Sequence, residues 1–384
     1  MPTSSSAYSL GPPPAPPPTT RTSGGKQANC GCHENGRGGS DGDGNGGGNA
    51  DRYRGRDWSN TGGSTGGIAN WHARQGSVQR ACRREACVFV VGEYELLRLI
   101  GKGSYGSVFS CRHMQTGHVA CAKLEELRSE SAQVIYEYRV YSVLAKTSAR
   151  EFVPVPYCHG EAGDYRYMVM GLGGEDLSTV VHTHTAASKL RIFRSAITAL
   201  RAIHDAGIVH RDIKPTNILM RADSSEEVMI IDFGLAKRYR DGARHIDNRD
   251  KDSISGTTRY ASVPCMMCTQ TSRRDDMYSL CYTMASLFGR ALPWQNLTGK
   301  KEDEEKILLK TLELKRVLEP RIVFHGCPEP VIHIYAAVIQ LGFAERPAYE
   351  EYQQIIDNYL CTRPNGACVR TAYRASASMH SCHQ

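Results

Sequence analysis

Apolar side chains are scarce in the first 85 residues of this 384-residue chain. Leu, Ile, Val and Phe occur there only as Leu10, Ile68 and Val78, whereas the same stretch holds 18 of the 37 glycines and 7 of the 17 prolines. A segment of this composition buries too little apolar surface to offset the entropy that is lost on ordering. We therefore expect residues 1–87 to be a disordered arm, in which PPPAPPP favours an extended polyproline helix.

Two kinds of apolar run are also missing. The first residues, MPTSSSAYSL, lack the basic start and the apolar run of about 7 to 15 residues that mark a secretory signal. Nor does the sequence contain a run of about 18 apolar residues, the length that spans a bilayer. We expect no membrane span, and a location in the cytoplasm, the nucleus or both.

The 14 cysteines show no repeating spacing, which disfavours both a disulfide framework and a zinc module. Cys30 with Cys32 and Cys265 with Cys268 are close pairs, but neither has a second pair at zinc-finger spacing. We interpret them as free thiols. The net charge of +7 is more typical of a solubilised chain than of a nucleic-acid-binding protein, and we do not expect nucleic acid as a partner.

From about Val88 onward, short apolar runs alternate with turns. VFVVGEYELLRLIG, GSVFSCR and HVACAKLE are typical of strands joined by hairpins. The next stretch, SAQVIYEYRVYSVLAK, carries Val134, Tyr138, Tyr141 and Ala145 at helical spacing. The sequence therefore predicts a small sheet-rich lobe with one helix.

Helical periodicity dominates after the strand DYRYMVM. SKLRIFRSAITALRAIHDAG has Phe193, Ile197, Leu200 and Ile203 on one face and Gly207 at the expected end. DDMYSLCYTMASLFG has an apolar stripe wide enough for a buried helix. We predict an α+β fold of two lobes over residues 88–361, divided into 88–171 and 172–361, with a flexible tail at 362–384.

The stretch GKGSYGSV, residues 101–108, is a glycine-rich loop that lets backbone amides approach phosphate oxygens. In a dinucleotide-binding fold such a loop opens a helix, but here the strand-like SVFSCR follows it. A hairpin over phosphates is therefore favoured.

Lys123, in the strand HVACAK, can point under this loop and hold phosphates as a point charge. A buried ammonium needs a carboxylate partner. Glu137, which lies among apolar residues of the first helix, is the predicted partner.

The stretch VHRDIKPTNIL, residues 209–219, places Asp212, Lys214 and Asn217 in one loop, and Asp232 opens the triplet DFG after the run VMII. Phosphoryl transfer needs positioning and charge neutralisation more than covalent chemistry. We predict that Asp212 accepts the proton of a substrate hydroxyl and that Lys214 neutralises charge on the phosphoryl group. Asn217 and Asp232 are the predicted ligands of Mg²⁺.

In this order, the glycine-rich loop, Lys123, Glu137, HRDIKPTN and DFG resemble the eukaryotic protein kinases over about residues 93–360. The resemblance implies a bilobal fold, with ATP bound in the cleft between the lobes and Mg²⁺ as cofactor. It assigns Met170 to the back of the adenine pocket and Leu172 to the hinge segment. The implied ATP-binding residues are Ile100, Gly101, Gly103, Gly106, Val108, Lys123, Glu137, Met170, Leu172 and Asp232.

DFGLAKRYRD, GTTRYASV, TSRRDDMYSL and LPWQNL resemble the casein kinase 1 group, including its tau-tubulin-kinase-like relatives. Like that group, the chain has Ala261-Ser262-Val263 where most other kinases have Ala-Pro-Glu. The resemblance implies a Ser/Thr kinase. It also makes Asp276 the buried aspartate that anchors the catalytic loop, with Asp275 as the solvated neighbour.

Members of this group often prefer acidic or already phosphorylated substrates, so the resemblance makes Arg249, Arg259 and Lys300 candidates for a substrate anion site. However, Asp247, Asp250 and Asp252 interrupt the same region with negative charge. A preference for phosphorylated substrates therefore stays open.

Cys121 stands where the family pattern V-A-I-K has alanine, over the expected adenine position. A thiol is small and tolerates burial, so a neutral packing substitution is favoured over a modifiable site. Asp176 either faces the ribose or is an acidic residue at a helix start.

Our first hypothesis is an active, monomeric Ser/Thr protein kinase that uses ATP and Mg²⁺ on protein substrates. The alternative is a catalytically silent kinase fold that acts as a scaffold through its arm. A kinase for small molecules would not explain GTTRYAS or SRRDD. Because the casein kinase 1 group generally dispenses with activation-segment phosphorylation, we expect constitutive activity.

Overall fold

The computed structural model describes residues 80–83, 86–103, 106–129, 132–180, 184–251, 253–297 and 303–362. The predicted arm lies outside these ranges except for its last few residues. The predicted tail lies outside them except for its first residue. Cys30, Cys32 and the tip of the glycine-rich loop, residues 104–105, also lie outside the described ranges.

Seven strands form one antiparallel sheet in the order β1-β2-β3-β4-β5-β7-β6. Their bounds are β1 Arg80–Arg83, β2 Ala86–Val91, β3 Tyr94–Gly103, β4 Gly106–His113, β5 Val119–Glu126, β6 Pro156–Ala162 and β7 Tyr165–Met170. The three predicted apolar runs form β2 to β5, and consecutive strands pair as hairpins. Strand β5 continues beyond Lys123, so that Lys123 lies within the strand.

The helix α1, Gln133–Leu144, follows β5, which is formed by the last of the three predicted strand runs, as predicted. Its buried residues are Val134, Glu137, Val140, Tyr141 and Leu144. The predicted stripe is therefore wrong in part, because Tyr138 is only half-buried against His159 and Ala145 caps the helix. The buried face is rotated to include Glu137, which agrees with its predicted pairing with Lys123 but not with the predicted apolar stripe.

The remaining helices follow the sheet in the chain. They are α2 Ala186–Asp205, α3 Val263–Met266, α4 Arg273–Leu287, α5 Glu304–Val317, α6 Pro320–Val323, α7 Glu329–Val338 and α8 Tyr349–Cys361. Short antiparallel ladders lie between α2 and α3: β8 Ile208–Val209 pairs with β11 Lys237–Arg238, β9 Ile218–Met220 with β10 Val228–Ile230, and β12 Arg240–Asp241 with β13 Arg244–His245.

The core of the helical lobe is built around α2 and α4. The four predicted residues Phe193, Ile197, Leu200 and Ile203 of α2 are fully buried. Gly207 follows the end of α2 with φ +83°, a conformation that favours glycine. Of the 15 residues of α4, 12 are buried, which confirms a central helix surrounded on most sides.

The chain therefore has the predicted α+β fold of two lobes, a sheet-rich lobe with α1 and a larger helical lobe. Strand β7 ends at Met170, and residues 171–175 lead from the sheet into the helical lobe. Among the described residues, no helix combines the length and the apolar character that crossing a membrane would need.

Candidate active site

Lys123 lies at the centre of a buried charge cluster. Strand β5 holds it opposite Val108 of β4 and Met168 of β7, and only 7% of the residue is exposed. Its Nζ donates to Glu137 Oε2 at 2.6 Å and to Asp232 Oδ1 at 2.9 Å. Burial alone would lower the pKa of Lys123, but the two carboxylates outweigh burial and raise it. The ammonium therefore keeps its charge.

Glu137 connects this lysine to the DFG triplet. The residue is fully buried on α1, and its Oε1 accepts a hydrogen bond from the backbone N–H of Phe233 at 3.1 Å. The Glu137 carboxylate thus accepts one hydrogen bond from Lys123 of the sheet-rich lobe and one from Phe233 of the helical lobe. This geometry fixes the position of α1 relative to the triplet.

Asp232 has a left-handed backbone conformation, with φ +67°. A non-glycine residue in this region costs on the order of 1 kcal/mol and persists only where its surroundings hold it. Here the phenol oxygen of Tyr141 accepts the N–H of Asp232 at 3.0 Å. Burial opposes ionisation of the carboxyl, but Lys123 outweighs it and lowers the pKa of Asp232. The carboxylate is therefore ionised where it meets the cleft.

The catalytic loop after β8 is anchored by Asp276 of α4. Asp276 Oδ2 accepts the N–H of His210 at 2.7 Å, and Oδ1 accepts the N–H of Arg211 at 2.8 Å. His204 contacts the same carboxylate at 2.8 Å. Burial opposes ionisation, but the hydrogen bond from His204 helps to lower the pKa of Asp276. The structure thus places Asp276 where the sequence predicted it.

The prediction that Asp275 is solvated is wrong, because the structure buries this residue. Only 4% of it is exposed, and its carboxylate accepts the N–H of Ser272 at 2.7 Å and the hydroxyl of Ser262. Burial raises the pKa of Asp275. The residue joins the start of α4 to Ser262, which precedes α3, a contact across 13 positions that periodicity does not reveal.

Asp212 is surrounded by donors. Lys214 Nζ donates to its Oδ2 at 2.7 Å, and the amide of Asn217 donates to its backbone carbonyl at 2.9 Å. Thr257 donates both its N–H and its hydroxyl to Oδ1, each at 2.8 Å. These bonds hold both oxygens of the Asp212 carboxylate in place. Of the two oxygens, Oδ2 contacts the charged Lys214, whereas Oδ1 contacts the uncharged donors of Thr257.

Thr257 is the site residue that sequence reasoning missed. Its hydroxyl oxygen also accepts from Lys214 Nζ at 3.3 Å, so that Thr257 bridges the two side chains predicted to act on the phosphoryl group. The preceding Gly256 has φ +80°, and a Cβ there would meet the carbonyl of Arg211. In the sequence, the Gly-Thr pair that opens GTTRYAS was the feature that could have indicated a tight turn with Thr257 in the site.

A cavity of about 400 Å³ lies between the glycine-rich hairpin and the charge cluster. Every residue that the sequence assigned to ATP binding lines it, and so do Asn217, Asp176 and Cys121. Gly106, with φ +132°, lies against the carbonyl of Leu124, where no side chain fits. The apolar walls include Val108, Met170 and Leu219. The cavity is suited to a flat ring near the hinge and phosphates near Lys123.

The structure describes two of the three candidates for the substrate anion site, Arg249 and Arg259. Arg249 is exposed and donates to Asp247 at 3.0 Å, so that its charge is already paired. Arg259 is also exposed, whereas Lys300 lies outside the described residues. Neither arginine lines the cavity.

Cys121 lies at the back of the cavity, paired with Met170 across β5 and β7. Its thiol contacts the carbonyl of Gly171 at 3.6 Å, and burial raises its pKa to about 12. A thiol with this pKa is almost wholly protonated at neutral pH and is a poor nucleophile. The packing interpretation is favoured. Cys265 and Cys268 have free thiols.

The family model of the protein kinase domain matches residues 94–366, more than two thirds of the chain. The matched region contains the cavity, the charge cluster and the catalytic loop.

Proposed function

The chain belongs to the protein kinase family, and on that premise we propose that it is an active Ser/Thr kinase of casein kinase 1 type. It transfers the γ-phosphate of ATP to Ser or Thr hydroxyls of protein substrates. The observation that carries this proposal is the contact of Lys123 with Glu137 and Asp232 in one cluster at the base of the cavity. A silent kinase fold would not need all three charges.

We propose one orientation for ATP in the cavity. The apolar walls beside the hinge accept the adenine ring, and Lys123 supplies the positive charge for its phosphates. The glycines of the hairpin let backbone N–H groups approach the same phosphates. Glu137 keeps Lys123 oriented by its short ion pair.

The residues at the cleft also fit Mg²⁺. Asp232 and Asn217 present carboxylate and amide oxygens, the hard ligands that Mg²⁺ prefers. Asp232 uses Oδ1 for Lys123, which leaves Oδ2 for an ion. When bound, Mg²⁺ neutralises charge on the ATP phosphates.

Asp212 is the proposed base for the substrate hydroxyl. Oδ1 is held by Thr257 and Oδ2 by Lys214, so that the carboxylate faces the incoming hydroxyl in a fixed orientation. Lys214 then lies beside the phosphoryl group and stabilises its charge. The proton of the hydroxyl passes to Asp212 while the bond from the hydroxyl oxygen to the γ-phosphorus forms. The bond between that phosphorus and the oxygen shared with the β-phosphate breaks, and ADP leaves.

Ser/Thr specificity and the casein kinase 1 type are supported by Lys214 in HRDIK, by GTTRYAS and by TSRRDD. We further propose a monomer that acts in the cytoplasm or nucleus on acidic protein substrates. The pairing of Arg249 with Asp247 weakens the case for substrates that are already phosphorylated.

A transfer assay with radiolabelled ATP, Mg²⁺ and casein tests the proposal. Acid hydrolysis of the product is expected to release phosphoserine or phosphothreonine, and D212N is the matched inactive control. Label on tyrosine would refute the Ser/Thr assignment. Nucleotide binding without any transfer would favour the silent scaffold.

A further inference from the structure

Lys315 of α5 is buried far from solvent, with only 4% of the residue exposed. Its Nζ donates to the carbonyl oxygens of Thr258 at 2.8 Å and Ala261 at 2.6 Å. The ammonium also lies over the rings of Tyr282 and Trp294, at 5.0 and 4.9 Å from their centroids. Within the part of the chain that the structure describes, no carboxylate forms an ion pair with it.

Burying an ammonium without a carboxylate is costly, so its other partners have to replace water. Two carbonyl dipoles and two aromatic faces do so here. A methionine of similar length would fill the same space at no electrostatic cost. The lysine is therefore better explained by what it holds than by packing.

Lys315 holds the backbone that leads to the catalytic base. Besides the two carbonyls bound by Lys315, the carbonyl of Arg259 accepts the indole N–H of Trp294 at 2.9 Å. We call residues 257–262 the anchored segment. Within it, the N–H groups of Tyr260 and Ala261 donate to the carbonyl of Thr257, at 2.9 and 3.0 Å.

Thr257 in turn donates twice to Asp212 Oδ1. The path from Lys315 to the base therefore passes through one short turn of backbone. The same segment lies beside Lys214, which contacts Thr257 at 3.3 Å. On the proposed function, a substrate hydroxyl that reaches Asp212 comes close to Thr257 and therefore to this segment.

We propose that Lys315 is a positioning residue for phosphoryl transfer to protein. It fixes the anchored segment so that Thr257 orients Asp212 and the substrate meets an ordered surface. This inference rests on the proposed kinase function. Because Lys315 does not line the cavity, its loss is expected to spare ATP binding.

The test compares K315M, K315R and the control K310M. Lys310 lies on the same helix but is exposed and pairs with Glu313. We expect K315M to lower kcat/KM for a peptide substrate about 10- to 100-fold, the effect of losing two buried hydrogen bonds. The KM for ATP should change less than about twofold. K315R, which can still donate to both carbonyls, should recover part of the loss, and K310M should match the unmodified chain.

Amide hydrogen exchange gives a readout that does not depend on activity. The amides of Thr257, Tyr260 and Ala261 should exchange faster in K315M than in K310M, whereas those of α2 should not change. Unchanged exchange, or an unchanged peptide KM and kcat, would overturn the inference. If K315M does not fold, W294F removes the donor to Arg259 but keeps a ring over Lys315, and it must show the same pattern.

Failure of this inference can be told apart from failure of the proposed function. An unmodified chain that transfers no phosphate would refute the function, and the exchange experiment would still decide whether Lys315 anchors the segment. A chain that is active and insensitive to K315M would refute the anchoring alone.

Discussion

The two most deeply buried lysines of the active centre and its surroundings, Lys123 and Lys315, have similar exposure, 7% and 4%. Lys123 contacts two carboxylates, which raise its pKa. Lys315 contacts two carbonyls and two aromatic rings, and burial lowers its pKa to about 7. The neighbours, and not the depth of burial, therefore decide whether a lysine keeps a full charge.

The difference also separates two tasks. The cluster in the cleft has one positive and two negative side chains, so that it can receive both phosphates and a divalent cation. The site around Lys315 contains backbone and rings, which are suited to fixing a segment but not to binding a charged ligand. The following predictions change one region or the other.

The largest effect is expected from D232N. Removing this carboxylate takes away a proposed ligand of Mg²⁺ and a partner of Lys123, and several kcal/mol of metal stabilisation would correspond to about a 10³-fold loss of transfer. A radiolabel assay measures the rate, and far-UV circular dichroism checks that the fold is intact. Normal phosphorylation of casein by a folded D232N protein would refute the assignment of the cluster.

K123M should reduce transfer about 10²-fold, because a positioned cation that stabilises phosphate charge is lost. It also leaves Glu137 and Asp232 without the ammonium between them. Burial already raises the pKa of Glu137, and without Lys123 nothing offsets burial and the repulsion from Asp232. As the pH rises above 4.5, the ordinary pKa of glutamate, the stability of K123M should therefore fall more steeply than that of the unmodified chain. Thermal unfolding across this range measures it, and a pH dependence equal to that of the unmodified chain would count against the ion cluster.

T257V is expected to have a smaller effect. It removes the hydroxyl that donates to Asp212 and accepts from Lys214, but it keeps the backbone N–H bond and the shape of the side chain. Losing one hydrogen bond to a charged group should lower kcat about 10-fold. T258V on the neighbouring residue is the control for side-chain shape. Equal kcat values for T257V and T258V would show that the hydroxyl does not orient the base.

The last prediction concerns the pH dependence of stability and not the rate of transfer. The unfolded chain keeps the proton of Lys315 up to about pH 10.5, whereas the folded chain releases it near pH 7. Unfolding therefore takes up a proton in this window, and stability should rise with pH from about 7 to 10.5. Lys123 does not contribute there, because its pKa is raised.

Denaturant titrations of the unmodified chain and K315M at several pH values measure this difference. K315M should lack the rising contribution. The neutral amine still has two N–H groups for the two carbonyls, so that the anchor persists above pH 7. Parallel pH profiles of the two proteins would contradict the lowered pKa.

The sequence predicted the cleft well because its residues come in short strings with fixed order. Lys123, Glu137, Asp212 and Asp232 could each be located by a local motif, and the structure brings Lys123, Glu137 and Asp232 together. The hairpins and the face of α2 followed from the apolar period. These features depend on neighbours a few residues apart.

What the sequence did not predict depends on distant contacts. Thr257 meets Asp212 across 45 positions, and Lys315 meets Thr258 across 57. Asp275 and Lys315 are charged residues that pattern reasoning places on the surface, yet both are buried because backbone groups satisfy them. The inward face of α1 was misjudged for the same reason, since Glu137 is buried by its partners.

The most direct test of the central claim is the rate of phosphoryl transfer by K123M, D232N and the double variant. Side chains that act as one unit give strongly non-additive losses. We predict that K123M/D232N transfers phosphate only a few times more slowly than D232N. A loss equal to the product of the two single losses would mean that Lys123 and Asp232 act independently, and would contradict the account.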